Sequence, residues 1–561
     1  LSGALLAMIP IVAAADSFDD LAREFWTWRA ANQPLSTDDI PRIDRPVDWT
    51  PDWSAPAVAK RRQALADFER RWRQIDPSGW TIPRQVDYRL IGSAIARVRW
   101  EMEVERGWRR DPRFYVNQTL GAIFERLLQP PPIDAARSGE ILRRLQNFPR
   151  SVEDAKANLD QAVAPFARLA IDGLKDVRSR LQIIAREIKP LLAPETASQL
   201  DDATEKGIRA LESYREWLEQ RLPKMPAATA VGRDAYVWFL GNVALMPFTP
   251  EELLLAGRQE WERSVAFESH EQNRNAGLPE LELFPDQAAQ MAREEQQEQA
   301  IRQFLEEKNL LSVPAWMRHY RNLPLPLYLE QLSGLGVMDD LTGPKRLRED
   351  AVSYIRKPSP DLGYFGLSTA RDPRPIIVHE GVPGHYFQMA LSWAHENWIR
   401  RHYYDSGANE GIGFYAEEMM LQAGLFDDSP RTREIIHNFM RLRALRVEVD
   451  VKLALGQFTI EQAAKYLQDT VPMDYDTALE EAAFFATSPG QAITYQIGKL
   501  QIVRFLADAR RIKGEKFNLR SFHDFVWKNG NVPIALLRWE FLGLKDEIEL
   551  MDQTRNKGAK K

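Results

Sequence analysis

Apolar residues recur at three- and four-residue spacing along most of the chain, the period of amphipathic helices. Residues 57–76, 84–107, 136–148, 151–188 and 196–221 carry this pattern and are rich in Arg, Ala and Glu. Pro190, Pro194 and the stretch Leu222-Pro223-Lys224-Met225-Pro226 interrupt it. The last marks the expected boundary between an N-terminal helical lobe, 16–225, and a second lobe, 226–561. Later helices announce their starts. Thr249-Pro250-Glu251-Glu252 joins a capping hydroxyl, Pro at the first helical position and Glu at the third. Ser429-Pro430 opens a helix expected to end near Leu455, where Gly456 stops it. Thr459-Ile460-Glu461-Gln462 and Ser488-Pro489-Gly490-Gln491 read as further caps. Strand-like sequence is scarce, the clearest runs being Tyr364–Thr369 and Pro375–Val378. The pattern predicts a mainly α protein.

Residues 1–15 are apolar and end in small residues, then the chain turns acidic at Asp16. This is expected to be the remnant of a signal peptide; an apolar helix docked on the core is the other reading. It is too short for a bilayer span, which needs about 20 residues. The expectation is an exported, periplasmic protein with no membrane span. Across 561 residues, 44% hydrophobic and 27% charged side chains are those of a soluble globular chain. Seventy-four basic against 80 acidic residues give a net charge of −6, which argues against nucleic acid as a partner. The absence of cysteine excludes disulfides, thiolate metal sites and cysteine nucleophiles, and no cysteine-linked lipid anchor is expected. A metal would need His, Asp or Glu.

One segment stands apart: Val378-His379-Glu380-Gly381-Val382-Pro383-Gly384-His385. In H-E-x-x-H, two His four residues apart share a helix face and bind zinc, while the Glu takes a proton from water. Here the spacing is six. Six helical steps turn the second imidazole about 240° from the first. Pro383-Gly384 offers a break, because proline removes a helical hydrogen bond and glycine accepts unusual backbone angles. His385 can then return beside His379. Two polar residues at an ordinary helix start are the alternative.

Two imidazoles do not close a catalytic zinc site, which wants three protein ligands and one open position. Downstream, Glu410 and Glu417 are seven apart and project within about 20° of each other on a helix. Their face also carries Gly413 and Phe414, an unusual place for two acids unless a cation waits there. The preferred division makes Glu410 a ligand and Glu417 a partner that orients a ligand His. Plain helix capping by Asn409-Glu410-Gly411 is the other reading.

His379-Glu380-x-x-Pro383-Gly384-His385, then Asn409-Glu410-Gly411 and Tyr415-Ala416-Glu417-Glu418, resembles the bacterial family of domain of unknown function 885. Gly232–Tyr236, Thr249–Leu253 and Ser488–Gly498 fit that family too, so the resemblance covers nearly the whole chain after the first residues. The family is similar to gluzincin zinc peptidases: the angiotensin-converting-enzyme, thimet-oligopeptidase and carboxypeptidase Taq groups. The resemblance implies a two-lobed helical metallopeptidase with a deep central cleft and a small β element next to the active-site helix. It implies one zinc per chain on His379, His385 and Glu410, Glu380 as general base, and short peptides as substrate.

Those peptidases also use a C-terminal Tyr or His as oxyanion donor. Tyr495 is the candidate here, against the alternative of a core aromatic, and Phe485 stands where a second donor is expected. Arg371, Arg374 and Arg401 flank the motif and are weaker candidates for holding a substrate carboxylate. Two other functions compete with peptide hydrolysis: a metallohydrolase of a non-peptide amide or ester, and a non-catalytic peptide-binding protein.

Overall fold

The computed structural model describes residues 9–35, 43–335, 339–340, 343 and 345–558. Positions 1–8 of the expected signal segment lie outside them. The fold is mainly helical. Ile9–Asn32 forms α1, Ala55–Arg73 α2 and Ile82–Arg99 α3. The predicted run 151–188 is three helices rather than one, Phe148–Asn158, Ala164–Gly173 and Val177–Ile188, because Pro165 and Gly173 interrupt it. Pro194–Arg221 follows as one long helix.

Beyond the Leu222–Pro226 stretch come α4 (Arg233–Asn242), α5 (Pro250–Asn275) and α6 (Gln287–Glu307). The Thr249–Glu252 capping box forms as read, Thr249 Oγ1 accepting from Glu252 N and Glu252 accepting from Thr249 N. A small sheet comes next. Its central strand β3 (Ala351–Ile355) lies parallel to β1 (Tyr320–Pro324) and antiparallel to the short β2 (Asp339–Asp340). Tyr320 sits opposite Ala351.

The two strand-like runs are not strands. Tyr364–Thr369 is a short helix, and Arg374–Gly381 is helical throughout. Short apolar runs take the structure their packing imposes. Tyr364 and Phe365 both pack against Phe439, with ring centroids 5.6 Å apart in each pair. The small β element does lie beside the motif, but other residues build it: a Cβ added at Gly381 would come 2.7 Å from the Tyr320 ring.

The rest is helical. α7 (His385–Trp393), α8 (Ser406–Ala423), α9 (Pro430–Ala454), α10 (Ile493–Lys513) and α11 (Leu519–Lys528) carry or support the motif residues. The α5 helix runs along α9, and α8 along α10. At that second crossing the backbones nearly touch, since a Cβ on Gly411 would come 2.7 Å from Gly498 Cα. Gly456, with φ of +74°, follows the end of α9 as expected. Ser488 does not cap α10, which begins five residues later with Ala492 before it. The cap comes from another helix: Asp450 of α9 accepts from the amides of Gly490, Ala492 and Ile493.

Candidate metal centre

The six-residue spacing closes through a break in the helix. Ile377–Gly381 forms one wide turn, in which Val382 N donates to Ile377 O, five residues back, at 2.8 Å. Val382 is extended, the chain doubles back through Pro383-Gly384, and α7 starts afresh at His385. Gly384 passes so close to the first turn that a Cβ there would lie 1.7 Å from the His379 carbonyl oxygen. Trp527 of α11 fixes the loop by donating its indole N–H to Pro383 O at 2.7 Å. The rings of His379 and His385 therefore stand 4.6 Å apart, centre to centre.

Helix α8 lies across them. Gly413 faces both rings, and a Cβ there would come 3.0 Å from each Cε1. One turn earlier, Glu410 Oε2 lies 3.3 Å from His379 Nε2 and 3.2 Å from His385 Nε2. Zinc bonds of about 2.0–2.1 Å in a tetrahedron place neighbouring ligand atoms about 3.3 Å apart, so these separations suit a shared ion. Glu410 Oε2 is buried and has no hydrogen bond. Three electron-pair donors facing one point, one of them otherwise orphaned, fit a divalent cation. Glu380 stands at the rim, partly exposed, with Oε2 4.0 Å from His385 Nε2.

The far nitrogens are held differently. His379 Nδ1 lies 2.7 Å from Glu417 Oε1, and that oxygen lies 2.8 Å from Arg443 Nη2. His385 Nδ1 faces the Asn409 amide, 2.9 Å from Nδ2. Asn409 Oδ1 is buried without a hydrogen bond. A half-turn of that amide presents Oδ1 to an Nδ1–H and leaves Nε2 of His385 free to donate its electron pair. Burial and Arg443 lower the affinity of His379 for a proton, but Glu410 and Glu417 outweigh them and bring its pKa up to about 9. Burial raises the Glu410 carboxyl, yet the two imidazoles hold it well below the usual carboxylate range.

Tyr495, the third residue of α10, stacks near His379 at 6.2 Å between ring centroids. Burial, together with the Glu410 carboxylate, holds its phenol well above the ordinary value, so it stays protonated. The Arg446 guanidinium lies 4.5 Å from its ring centre and pairs with Glu481 at 2.7 Å. The structure thus gathers His379, Glu380, His385, Glu410, Glu417 and Tyr495 in one place. Of the three flanking arginines, Arg374 is buried against Asp372 and Asp428. Arg401 donates to the His395 carbonyl, and Arg371 is exposed beside Tyr364. No described contact joins any of the three to the His and Glu residues.

Sequence reasoning missed Asn409, Arg443, Arg446 and Asp450. Their signal was present: Leu442-Arg443-Ala444-Leu445-Arg446-Val447 sets charges inside an apolar stretch of helix, and both arginines are buried. Buried charges require partners.

Fold and site together define a helical protein with a buried His–His–Glu centre. The chain belongs to the family of bacterial proteins of unknown function DUF885, whose model matches residues 43–310 and 366–540. Two solved structures share the fold. One, from Shewanella oneidensis, is described as a "putative lipoprotein of unknown function"; it is 17% identical, covers 94% of this chain and 98% of its own, and has a TM-score of 0.70. The other, a "putative lipoprotein" from Colwellia psychrerythraea, is also 17% identical, covers 97% and 100%, and has a TM-score of 0.71. No curated protein matches the chain.

Proposed function

We propose that this protein is a zinc-dependent hydrolase of peptide bonds in short peptides. The observation that carries the reading is the convergence of His379 Nε2, His385 Nε2 and Glu410 Oε2, with Glu380 at the rim. The resemblance of the motif to gluzincin peptidases supports it. Zinc bound there supplies a Lewis acid that polarises the scissile carbonyl and lowers the pKa of water. Glu380 takes the proton from the attacking water on its carboxylate and returns it to the leaving amine. The Tyr495 phenol donates a hydrogen bond to the carbonyl oxygen as negative charge develops on it. Glu417 and Asn409 fix the two imidazole rings, and Arg443 keeps the buried Glu417 charge compensated. The resemblance to the gluzincin peptidases implies a deep cleft between two helical lobes, which would favour short peptides over folded proteins.

Export to the periplasm belongs to the same reading. The apolar N-terminal segment supports it, as does the description of the Shewanella and Colwellia proteins as lipoproteins. Among the described residues no helix is long and apolar enough to cross a membrane.

The test is elemental analysis of protein purified without chelator, followed by a peptide screen. One zinc per chain, lost in His379→Ala, is expected. Glu380→Gln should keep the zinc and lose about 100- to 10,000-fold in rate. Full hydrolysis by Glu380→Gln with metal bound would overturn the mechanism.

A further inference from the structure

We propose that Asp450 is a positioning residue that holds Tyr495 over the His–Glu centre; the inference rests on the reading of Tyr495 as oxyanion donor. Asp450 lies on α9 and is completely buried, and the described hydrogen bonds to its carboxylate all come from outside the metal-centre side chains. Its carboxylate gathers four donors: Gly490 N at 2.9 Å, Ala492 N at 2.7 Å, Ile493 N at 3.3 Å and the Tyr236 hydroxyl at 3.0 Å. The three amides belong to the turn into α10, whose own N-cap position is Ala492 and offers no side-chain acceptor. The first amides of a helix carry partial positive charge and lack partners within the helix. A carboxylate from a different helix thus supplies the cap that Ser488 does not.

Tyr495 follows two residues after the last of those amides. On its other side, three residues on, Gly498 is locked against α8: a Cβ there would lie 2.2 Å from Gly407 O. The ring is held between these two anchors. Gly490, with φ of +90°, completes the turn, and Phe239 occupies the space where a side chain would stand. Arg446, four residues before Asp450 on α9, stacks on Tyr495 itself. Helix α9 therefore sets the position of α10 at its cap and at its third residue. A hydrogen bond to developing charge depends steeply on distance and angle, so a small shift of the first turn of α10 weakens donation from Tyr495 in the transition state.

The test is a double-mutant cycle on the zinc-loaded, full-length enzyme with a short peptide it cleaves, crossing Asp450→Asn with Tyr495→Phe. Asp450→Asn should lower kcat by about tenfold, leaving KM and zinc content near wild type, the pattern of an interaction made only in the transition state. In the Tyr495→Phe background the same change should cost less than about twofold. A loss of general structural integrity would be equal in both backgrounds, and that result overturns the proposal, as does an unchanged kcat. Should Asp450→Asn not fold, Tyr236→Phe removes a single donor and is expected to lower kcat by about threefold in the presence of Tyr495 only. A wild-type enzyme with no hydrolytic activity overturns the functional reading and this inference together. Activity with additive losses overturns this inference alone.

Discussion

Two glycines decide whether the imidazoles of His379 and His385 can share an ion. At Gly384 an added methyl would meet the carbonyl of His379, a backbone atom that cannot swing aside. Gly384→Ala is therefore expected to open the loop and abolish zinc uptake. Gly413 poses a finer constraint, because the atoms a methyl would press on are the two Cε1 atoms, 3.0 Å away. Gly413→Ala should fold, tilt both rings and weaken zinc binding by about 10- to 100-fold, the range typical of disturbed ligand orientation. Competition with a chromophoric chelator measures this, and wild-type affinity in both variants would refute the assignment. At this scale much was legible. Residue types and spacing pointed to His379, Glu380, His385, Glu410 and Glu417, and the structure brings these five side chains together. Arg374 shows the limit: an arginine near the motif looked available to substrate, yet Asp372, only two residues away, holds it. A local ion pair and a binding residue have the same sequence signature.

Helices were legible where the local signal decides and illegible where a distant residue does. The Thr249 and Thr459 capping boxes form as read because both partners lie within four residues. The α10 cap went unseen because Asp450 lies some forty residues from the amides it satisfies. Helix α6 departs from pattern in another way: Gln290 and Glu294 turn inward, and Glu294 Oε2 is buried without a hydrogen bond. Burial raises the Glu294 carboxyl from 4.5 to about 7, against a single hydrogen bond from Gln290. The sign of the linkage follows. As pH rises from 4.5 to 7 the folded chain keeps a proton that the unfolded chain has released, so stability falls across that window and stays lower above it. Glu294→Gln removes the dependence. Relative to wild type it should gain up to about 3 kcal/mol between pH 5 and pH 8. Urea titrations at the two pH values read the difference, and a parallel pH response of the two proteins would show that Glu294 is ionised in the fold.

Across the whole molecule, one buried arginine joins segments from both sides of the boundary expected at 222–226. Arg400 is almost inaccessible and donates to Asp87 on α3 at 3.0 Å, to Asn529 at 3.0 Å and to Glu540 at 2.7 Å. Asn397 adds a bond to the second Asp87 oxygen at 2.7 Å. Three distant stretches, around positions 87, 400 and 530–540, meet in one network just beyond α7. A second long-range tie, from Arg29 on α1 to Glu101, fastens the first helix just past the opposite, C-terminal end of α3. If the stretches before and after 225 were independent units, such contacts would be cut at little cost. A buried network instead predicts coupling. Replacing Arg400 by Met removes the cation that the two carboxylates share and leaves Glu540 facing an apolar side chain, while Asp87 keeps Asn397 and the more distant Arg84. Breaking one partner of a buried ion pair costs about 3–5 kcal/mol, because the remaining charge stays desolvated. Arg400→Met should therefore lower the melting temperature of the entire chain, with the unfolding endotherm still a single peak. Differential scanning calorimetry distinguishes the alternatives. Two resolved peaks in wild type, only one of them moved by the substitution, would mean that the residues before and after 225 unfold separately despite this network.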